Sequence, residues 1–234
     1  MCGRFVSTAA PQTIADVFGA VVDPLLAESE ARPNWNVAPT TNVLAVGATS
    51  VGRTVRAYRW GLVPSWTKEL RRAPSLINAR AETIAEKPSF RSSFRRHRLL
   101  LPMDGFYEWQ QITGAAGSVE KRPIYAHAAD GHLLAAAGIW SAWHDPAAPD
   151  DVGWLHSCAV VTTTANPTMQ PVHDRMPVFI AEADWDVWLD PSCDDVRLLG
   201  SLLVPAPEGL LVLDEVSSAV NNVRNRGPEL IRPV

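Results

Sequence analysis

Cys2 is the residue in this sequence whose position permits the most distinctive chemistry. Its side chain is small, so we expect the initiator Met1 beside it to be removed. The new terminus then carries an α-amine and a thiol on adjacent carbons. This pair condenses with an aldehyde to an imine and closes through sulfur to a thiazolidine, an intramolecular step with a high effective molarity. We also expect cations such as Arg4 to favour the thiolate.

The three cysteines and six histidines give no sign of a metal site or a disulfide framework. Cys2, Cys158 and Cys193 are odd in number, lie far apart and lack Cys-x-x-Cys spacing. The histidines form no His-Glu-x-x-His pair. The sequence therefore predicts no metal and no cofactor, with Cys158 in the core and Cys193 at the surface.

Length and composition favour an ordinary globular protein. The chain has 234 residues, of which 47% are hydrophobic and 20% charged, and its formal net charge is −4. The longest apolar tract, Leu133–Trp140, is too short to span a bilayer, and Arg4 interrupts the start of any signal peptide. We therefore predict one domain over residues 1–234, located in the cytoplasm, with nothing that requires more than a monomer.

Charge is distributed unevenly along the chain. Residues 53–98 contain 12 of the 21 basic side chains but only three of the 25 acidic ones. A polyanion would be steered towards this basic segment and repelled by the rest. A solvated basic face and nucleic-acid binding fit this excess about equally well. The nine tryptophans favour nucleic acid slightly, because indole rings stack on unpaired bases.

Strands outnumber helices among the predicted elements, and the two kinds do not alternate regularly. This order favours an α+β fold with a mainly antiparallel β-sheet core and short peripheral helices. We predict helices at Thr13–Gly19, Ser89–His97, Glu182–Leu189 and Asp194–Leu203. We predict strands at Asn42–Val46, Val55–Val63, Leu99–Gln111, Pro123–Ala128, His132–Trp143, Leu155–Thr164, Pro177–Ile180 and Leu210–Val216, with a turn at Gly114–Gly117 and a hairpin signal at Asp130-Gly131.

Seven blocks spread in order over nearly the whole chain carry a family likeness. They are Met1–Phe5, Trp35–Thr40, Trp60–Trp66, Asn78–Thr83, Gly105–Trp109, Val172–Pro177 and the tail from Val216 through Asn222–Asn225 to Glu229–Ile231. Together they closely resemble the SRAP family, the SOS-response-associated peptidases that process abasic sites. The resemblance implies one SRAP domain that crosslinks, through Cys2 after loss of Met1, to the ring-opened aldehyde of an abasic site in single-stranded DNA. The resemblance also implies that the protein associates with the nucleoid when it acts on DNA.

The resemblance also implies which residues form the site. The catalytic residues that match the family's motifs are Cys2, Asn78, Glu108 and His173. The implied DNA contacts are phosphate-binding arginines and apolar wedge or stacking residues, namely Arg4, Arg80, Arg175, Pro39 and Trp66. One departure affects the last of these, because Thr67 follows Trp66 where some relatives have a second aromatic residue.

The chemistry of these residues agrees with such roles. Opening an abasic sugar and dehydrating a carbinolamine both need proton transfer, which a carboxyl such as Glu108 supplies. Its aromatic neighbours should raise its pKa by desolvation. His173 can serve a sugar hydroxyl or departing water, and Asn78 can donate to an oxyanion or hold the α-amine. Each residue also has a purely structural alternative. Glu108 could be an exposed strand residue, His173 could form a hydrogen bond within its loop, and Asn78 could be a turn residue.

Other activities fit parts of the sequence. Glutamine amidotransferases also have an N-terminal cysteine followed by glycine, as Cys2 and Gly3 are here, and their thiol attacks an amide. The basic segment would have no role in that reaction. A peptidase could direct the same thiol at its own N-terminus. The resemblance further implies crosslink reversal and weak lyase activity. A purely noncovalent single-strand binder would use the basic segment and need neither Cys2 nor Glu108.

Overall fold

The structure, a computed structural model, describes residues 2–50, 52–73, 76–113, 118–149 and 151–234. The strands within these ranges are β1 (Arg4–Ser7), β2 (Val21–Val22), β3 (Asn34–Val37), β4 (Asn42–Thr49), β5 (Gly52–Trp60), β6 (Asn78–Arg80), β7 (Arg98–Met103), β8 (Gly105–Thr113), β9 (Val119–Ala128), β10 (Leu134–His144), β11 (Trp154–Thr164), β12 (Arg175–Pro177) and β13 (Leu211–Glu215). The α-helices are α1 (Pro11–Phe18), α2 (Arg91–Arg96), α3 (Trp185–Leu189) and α4 (Val196–Ser201). Short 3₁₀ turns lie at Glu28–Ala31, Leu70–Arg72, Ala81–Thr83, Glu182–Asp184, Ser218–Asn221 and Pro228–Ile231.

The strands form two sheets. The first has the order β13-β9-β8-β1-β3, and its neighbouring strands are antiparallel. The second has the order β12-β11-β10-β7-β4-β5-β2, and β11 also pairs with β5, which closes five of its strands into a barrel-like ring. β6 pairs in parallel with β11, away from this path. The predicted α+β class with a mainly antiparallel core is confirmed, whereas the extent of the domain over residues 1–234 stays a prediction.

An apolar cluster joins the two sheets and surrounds the amino end of the chain. Phe5 of β1 meets Trp60 of β5 edge-on, with 5.0 Å between ring centroids. Cys2 and Phe106 belong to the same cluster, and all four side chains are almost completely buried. Burial of large aromatic side chains is a major source of stability. The first residues of the chain therefore cannot leave the core without exposing it.

Helix α1 shows how local sequence sets the ends of an element. Pro11 stands in the first turn, where its missing N–H has no intrahelical partner to lose. Gly19 ends the helix in the left-handed region with a φ of 57°, which glycine adopts without strain. The predicted helix at Thr13–Gly19 is confirmed, although it begins at Pro11. The other predicted helices are also present with shorter bounds, as α2, α3 and α4.

The prediction of one strand over Leu99–Gln111 is wrong. The chain turns at Asp104, so that β7 lies in the second sheet and β8 in the first. Thr8 donates its backbone N–H and its hydroxyl to the Asp104 carboxylate, at 2.7 Å and 3.0 Å. This bridge fixes the turn, and Gly105 beside it packs against the backbone of Ala126.

The hairpin prediction at Asp130-Gly131 is also wrong. Gly131 does adopt a positive φ of 74°, but β9 and β10 belong to different sheets. This turn therefore transfers the chain between sheets instead of pairing its flanking strands. The strand predicted at Pro177–Ile180 is displaced to β12, and the predicted turn at Gly114–Gly117 lies outside the described residues.

Several short strands are absent from the sequence prediction, and they are the ones that organise the site. β1, β3 and β6 contain only three or four residues each, too few for a periodic pattern to show. Their pairing with longer strands fixes them instead. Among the described residues, no helix combines the length and the apolar character that crossing a membrane requires.

Gly105→Ala should destabilise the protein, because the added Cβ would lie 2.5 Å from the backbone oxygen of Ala126. Overpacking of this kind costs about 1–3 kcal/mol. Gly200→Ala in α4 is the matched control, since no atom lies within 4 Å of its added methyl group and alanine is the better helix former. Urea unfolding measures both free energies. Equal unfolding midpoints for the two variants would contradict the packing argument.

Candidate active site

Cys2 lies at the amino end of β1, the strand between β3 and β8. Its side chain is fully buried. Burial raises the pKa of the Cys2 thiol far above its ordinary value, and the charge of Glu108 raises it further. The expectation that Arg4 favours the thiolate is therefore wrong. Burial dominates, and the Arg4 guanidinium donates to Asn36 Oδ1 at 2.8 Å.

Glu108 lies on β8, which pairs with β1 so that Arg4 is opposite Tyr107. This register brings the Glu108 carboxyl to the amino end of β1. Only 4% of Glu108 is exposed. Burial raises the pKa of its carboxyl, and nearby positive charge, including that of His173, opposes the shift. The predicted desolvation is confirmed, and the alternative of an exposed strand residue is wrong.

Asn78 begins β6, and its side chain contacts Cys2 directly. Asn78 Nδ2 donates to the backbone carbonyl of Cys2 at 2.8 Å. The other end of the amide, Oδ1, is buried and has no hydrogen-bond partner within the described part of the chain. Buried polar atoms are nearly always bonded. Asn78 Oδ1 is therefore an acceptor available to a hydroxyl or an amine that enters the site.

His173 lies in the loop before β12. Its Nδ1 accepts the backbone N–H of Arg175 at 2.9 Å, so the proton of the neutral ring is assigned to Nε2. The Asp174 carboxylate is 2.8 Å from the same nitrogen, and this contact becomes an ion pair only when the ring is protonated. The amide contact governs the neutral ring, because Asp174 is 86% exposed and water screens its charge.

The four predicted catalytic residues come together from four separate elements. Asn78 is bonded to Cys2, and Glu108 interacts electrostatically with both Cys2 and His173. The site therefore contains a buried thiol, an amide bonded to the backbone carbonyl of the same cysteine and two groups that can carry protons. Such a set suits addition to a carbonyl group with proton transfer. Cys158 is buried in the core as predicted, and Cys193 is half-buried.

Three of the predicted DNA contacts have accessible side chains. Arg80 is exposed and ends the strand that Asn78 begins. Trp66 is 62% exposed. Pro39 is half-buried and precedes Thr40, whose φ is 71°. This left-handed backbone is uncommon for threonine, so the turn beside Pro39 is held in a strained shape.

The other two predicted DNA contacts, Arg4 and Arg175, are already bonded to protein groups. Arg4 Nη1 donates to Asn36 Oδ1 and to the carbonyl of Val220 at 3.1 Å. Arg175 forms a bidentate ion pair with Glu82. Contacts of these two arginines with phosphate stay predictions.

Several cations of the basic segment 53–98 are paired or buried within the protein. Arg53 pairs with Asp186 and Arg56 with Asp23. Arg98 is 2% exposed and donates to backbone carbonyls of α2 and of the residues around the end of α3, including that of Trp188 at 2.6 Å. Hydrogen bonds to backbone carbonyls take the place of a counterion for this buried cation. The charge excess counted along the sequence therefore overstates the positive surface near the site.

Two residues near the site were not assigned a role from the sequence. Asn36 is buried, and its Nδ2 donates to the carbonyls of Val220, Asn222 and Asn225. Glu82 pairs with Arg175. Both lie inside the blocks that carry the family resemblance, which is the one signal that could have pointed to them.

Comparison with known proteins gives consistent matches along the chain. The family model described as SOS response associated peptidase (SRAP) matches residues 1–223. The chain is 36% identical over 231 residues to the abasic site processing protein YoqW of Bacillus subtilis (strain 168), with 99% of each chain covered. It is 30% identical over 241 residues to the abasic site processing protein YedK of Escherichia coli (strain K12), with 100% of each covered. A solved structure from Bacteroides thetaiotaomicron has the same fold, with a TM-score of 0.85, 23% identity and 100% of both chains covered. Since the family model spans both sheets and all four of these site residues, Cys2 included, the chain belongs to the SOS response associated peptidase family.

Proposed function

We propose that this protein processes abasic sites in single-stranded DNA by linking itself covalently to them through Cys2. The observation that carries the proposal is the set of contacts around Cys2. The Asn78 amide holds its carbonyl at 2.8 Å, and the buried Glu108 carboxyl lies close enough to influence its thiol. The names of the relatives, abasic site processing proteins, support the same substrate.

The chemistry begins when the Met1–Cys2 peptide bond is hydrolysed. This step consumes one water molecule and frees the Cys2 α-amine. Either an aminopeptidase or the site itself performs it, and cleavage of its own N-terminus is the one peptidase activity we propose for this chain. We propose no hydrolysis of other proteins.

The crosslink then forms in two bond-making steps. The freed amine attacks the aldehyde carbon of the ring-opened sugar, and the resulting carbinolamine loses its hydroxyl as water to give an imine. The Cys2 sulfur adds to the imine carbon while the thiol proton ends on nitrogen, which completes the thiazolidine. One water molecule is released overall. Both reacting groups belong to one residue, so the closure is intramolecular and fast.

Glu108 is assigned the proton transfers in this sequence. A carboxyl with a raised pKa keeps a proton that it can give to the departing hydroxyl, and it can then accept the thiol proton. A base is needed here because burial disfavours the Cys2 thiolate. His173 presents its Nε2–H to a sugar oxygen, and Asn78 Oδ1 accepts from the α-amine.

The same groups account for reversal and for weak lyase activity. Running the proton transfers backwards reopens the thiazolidine and releases the aldehyde. Alternatively, the imine loses the C2 proton of the sugar and the 3′ phosphate leaves, which breaks the strand by β-elimination. Closure of the thiazolidine removes the imine from which this elimination starts. The covalent product therefore protects the strand.

We assign the DNA contacts to the accessible side chains around the site. The exposed Arg80 guanidinium is suited to a phosphate, because its planar fork matches two phosphate oxygens. The exposed Trp66 indole is suited to stacking on an unpaired base. Pro39, beside the strained Thr40, is suited to a wedge between bases.

Cys2→Ala should abolish the adduct that survives denaturing electrophoresis after incubation with an abasic single-stranded oligonucleotide. The variant lacks the sulfur that closes the ring. Cys158→Ala is the matched control, because this thiol is equally buried in the same apolar cluster and should leave adduct formation intact. Intact-mass measurement should first show that Met1 is absent. A heat-stable adduct on Cys2→Ala would overturn the thiazolidine, and tight binding without any adduct would indicate a noncovalent binder.

Glu108→Gln should slow adduct formation by roughly 10²–10⁴-fold, because the amide cannot carry protons. Affinity for an undamaged single strand should stay close to that of the wild type, since Glu108 is not assigned to DNA contact. Gel time courses give the rate, and fluorescence anisotropy gives the affinity. An equal loss of both would make Glu108 a structural residue.

Thermal unfolding of the Glu108→Gln variant provides the control for its fold and its titration. Burial raises the pKa of Glu108, so the folded protein binds this proton more tightly than the unfolded chain does. The wild type therefore loses stability as pH rises from the ordinary carboxyl range through the raised pKa. The variant lacks this loss, so its melting temperature should rise relative to that of the wild type as the pH rises above the ordinary carboxyl range. A constant difference would contradict the raised pKa.

Arg80→Gln should weaken DNA binding and flatten its salt dependence. Loss of one phosphate contact lowers the slope of log affinity against log salt concentration by about 0.7 for single strands. Arg95→Gln is the matched control, because Arg95 belongs to the same basic segment but lies on α2, which packs on β7 and β10. Its slope should equal that of the wild type. If both variants flattened the slope equally, the basic segment would act as a diffuse field and Arg80 would have no particular contact.

A further inference from the structure

The exposed Trp66 indole belongs to a tight turn that is fixed to the protein at both ends. Thr67 donates its backbone N–H to the carbonyl of Pro64 at 2.9 Å, so residues 64–67 form a β-turn with Trp66 at its third position. This β-turn is named the Trp66 turn below. Thr67 is buried, whereas the other residues from 65 to 72 are exposed. Thr67 is therefore the point at which this exposed stretch enters the protein.

Trp143 of β10 holds the carboxyl end of the Trp66 turn. Its indole Nε1 donates to the backbone carbonyl of Thr67 at 2.7 Å, and both groups are buried. Within the described part of the chain, no other hydrogen bond joins residues 65–72 to a strand. A buried indole N–H without an acceptor is costly, so the Thr67 carbonyl stays where the Trp143 ring is.

Ser157 of β11 holds the amino end of the same turn. Val63, the residue before Pro64, donates its backbone N–H to Ser157 Oγ at 2.8 Å. Ser157 Oγ donates in turn to the carbonyl of Ser141 at 3.4 Å. Ser157 is opposite Ser141, which is two residues from Trp143 on β10, so the Trp143 and Ser157 side chains lie on one face of this strand pair. Two adjacent strands of the sheet therefore fix both ends of the turn.

The backbone of the turn decides where the Trp66 ring points. Trp66 is 62% exposed, so packing against other side chains restrains its ring little. Ordering a mobile loop on binding lowers affinity, whereas a group already held in its bound position avoids that cost. A turn that is fixed at both ends therefore favours stacking more than a loose loop with the same indole would.

We propose that Trp143 and Ser157 are positioning residues that preorganise the Trp66 turn for stacking on an unpaired base. The inference rests on the proposed function, which assigns that stacking to Trp66. Trp143 and Ser157 are themselves buried, so they act through the turn and do not contact the strand. Their effect on DNA binding should therefore vanish when the Trp66 indole is absent.

Trp143→Phe tests the hold on the carboxyl end, because phenylalanine keeps an aromatic ring but has no N–H. The probe is a single strand with a tetrahydrofuran abasic analogue, which has no aldehyde to crosslink, flanked by a fluorescent adenine analogue. At saturation, the wild type should quench this fluorescence by stacking, and Trp66→Ala should abolish the quenching. Trp143→Phe should reduce it and weaken binding roughly two- to tenfold, the range for one net hydrogen bond. Full quenching by Trp143→Phe would overturn the proposal.

The double variant Trp66→Ala/Trp143→Phe separates positioning from general destabilisation. A residue that acts through Trp66 adds nothing once Trp66 is gone, so the double variant should bind as weakly as Trp66→Ala alone. Additive losses would overturn the proposal. Trp185→Phe is the matched control, because it removes another buried indole N–H, which donates to the Ile180 carbonyl at 2.9 Å. It should quench and bind like the wild type, and a loss equal to that of Trp143→Phe would contradict positioning.

Ser157→Ala gives a second test, at the amino end of the turn. It should also reduce the quenching, and it decides the matter if urea unfolding shows that Trp143→Phe does not fold. Quenching equal to that of the wild type would then overturn the proposal. Failure of the proposed function would look different. A wild type that forms no adduct with an aldehyde-bearing strand, but gives the expected quenching series, would contradict the crosslink and leave the positioning role standing. A wild type that crosslinks while Trp66→Ala quenches normally would do the reverse.

Discussion

The placement of β1 between β3 and β8 is the constraint on which the rest of the structure depends. Its backbone is bonded on both edges, and Phe5 and Val6 are buried on opposite sides of it. The amino end of the chain is therefore drawn into the core, and Cys2 loses all contact with water. A chain terminus is usually exposed and mobile. Here the sheet holds the chain from Cys2 onward at a fixed place.

Burial of this terminus determines the electrostatics of the site. Removing a thiol and a carboxyl from water disfavours their charged forms, so the pKa values of Cys2 and Glu108 both rise. A buried thiol that stays neutral is protected from unwanted reactions, and a carboxyl that retains its proton can act as an acid.

Arginines in this protein divide into two physical classes. Those that are buried have internal acceptors, as Arg98 has with backbone carbonyls and Arg175 with Glu82. Among the exposed ones, Arg56 is paired with Asp23 at the surface, whereas Arg80 is suited to an external anion. The division follows from the penalty of burying an unpaired charge. Counting residues cannot distinguish buried from exposed arginines, because each arginine contributes equally to the charge of a segment.

The sequence by itself determined the candidate site residues, the fold class and most long elements. Cys2 follows the initiator methionine, the α1 ends follow from Pro11 and Gly19, and Glu108 lies among aromatic residues that predict its desolvation. Only the tertiary structure decided that the Cys2 thiol is buried, that β7 and β8 are separate strands, and that Arg175 faces Glu82. The physical reason is the distance along the chain over which each effect acts. Side-chain type and local periodicity act over a few residues, whereas burial and ion pairing depend on sheet register between residues far apart in the chain.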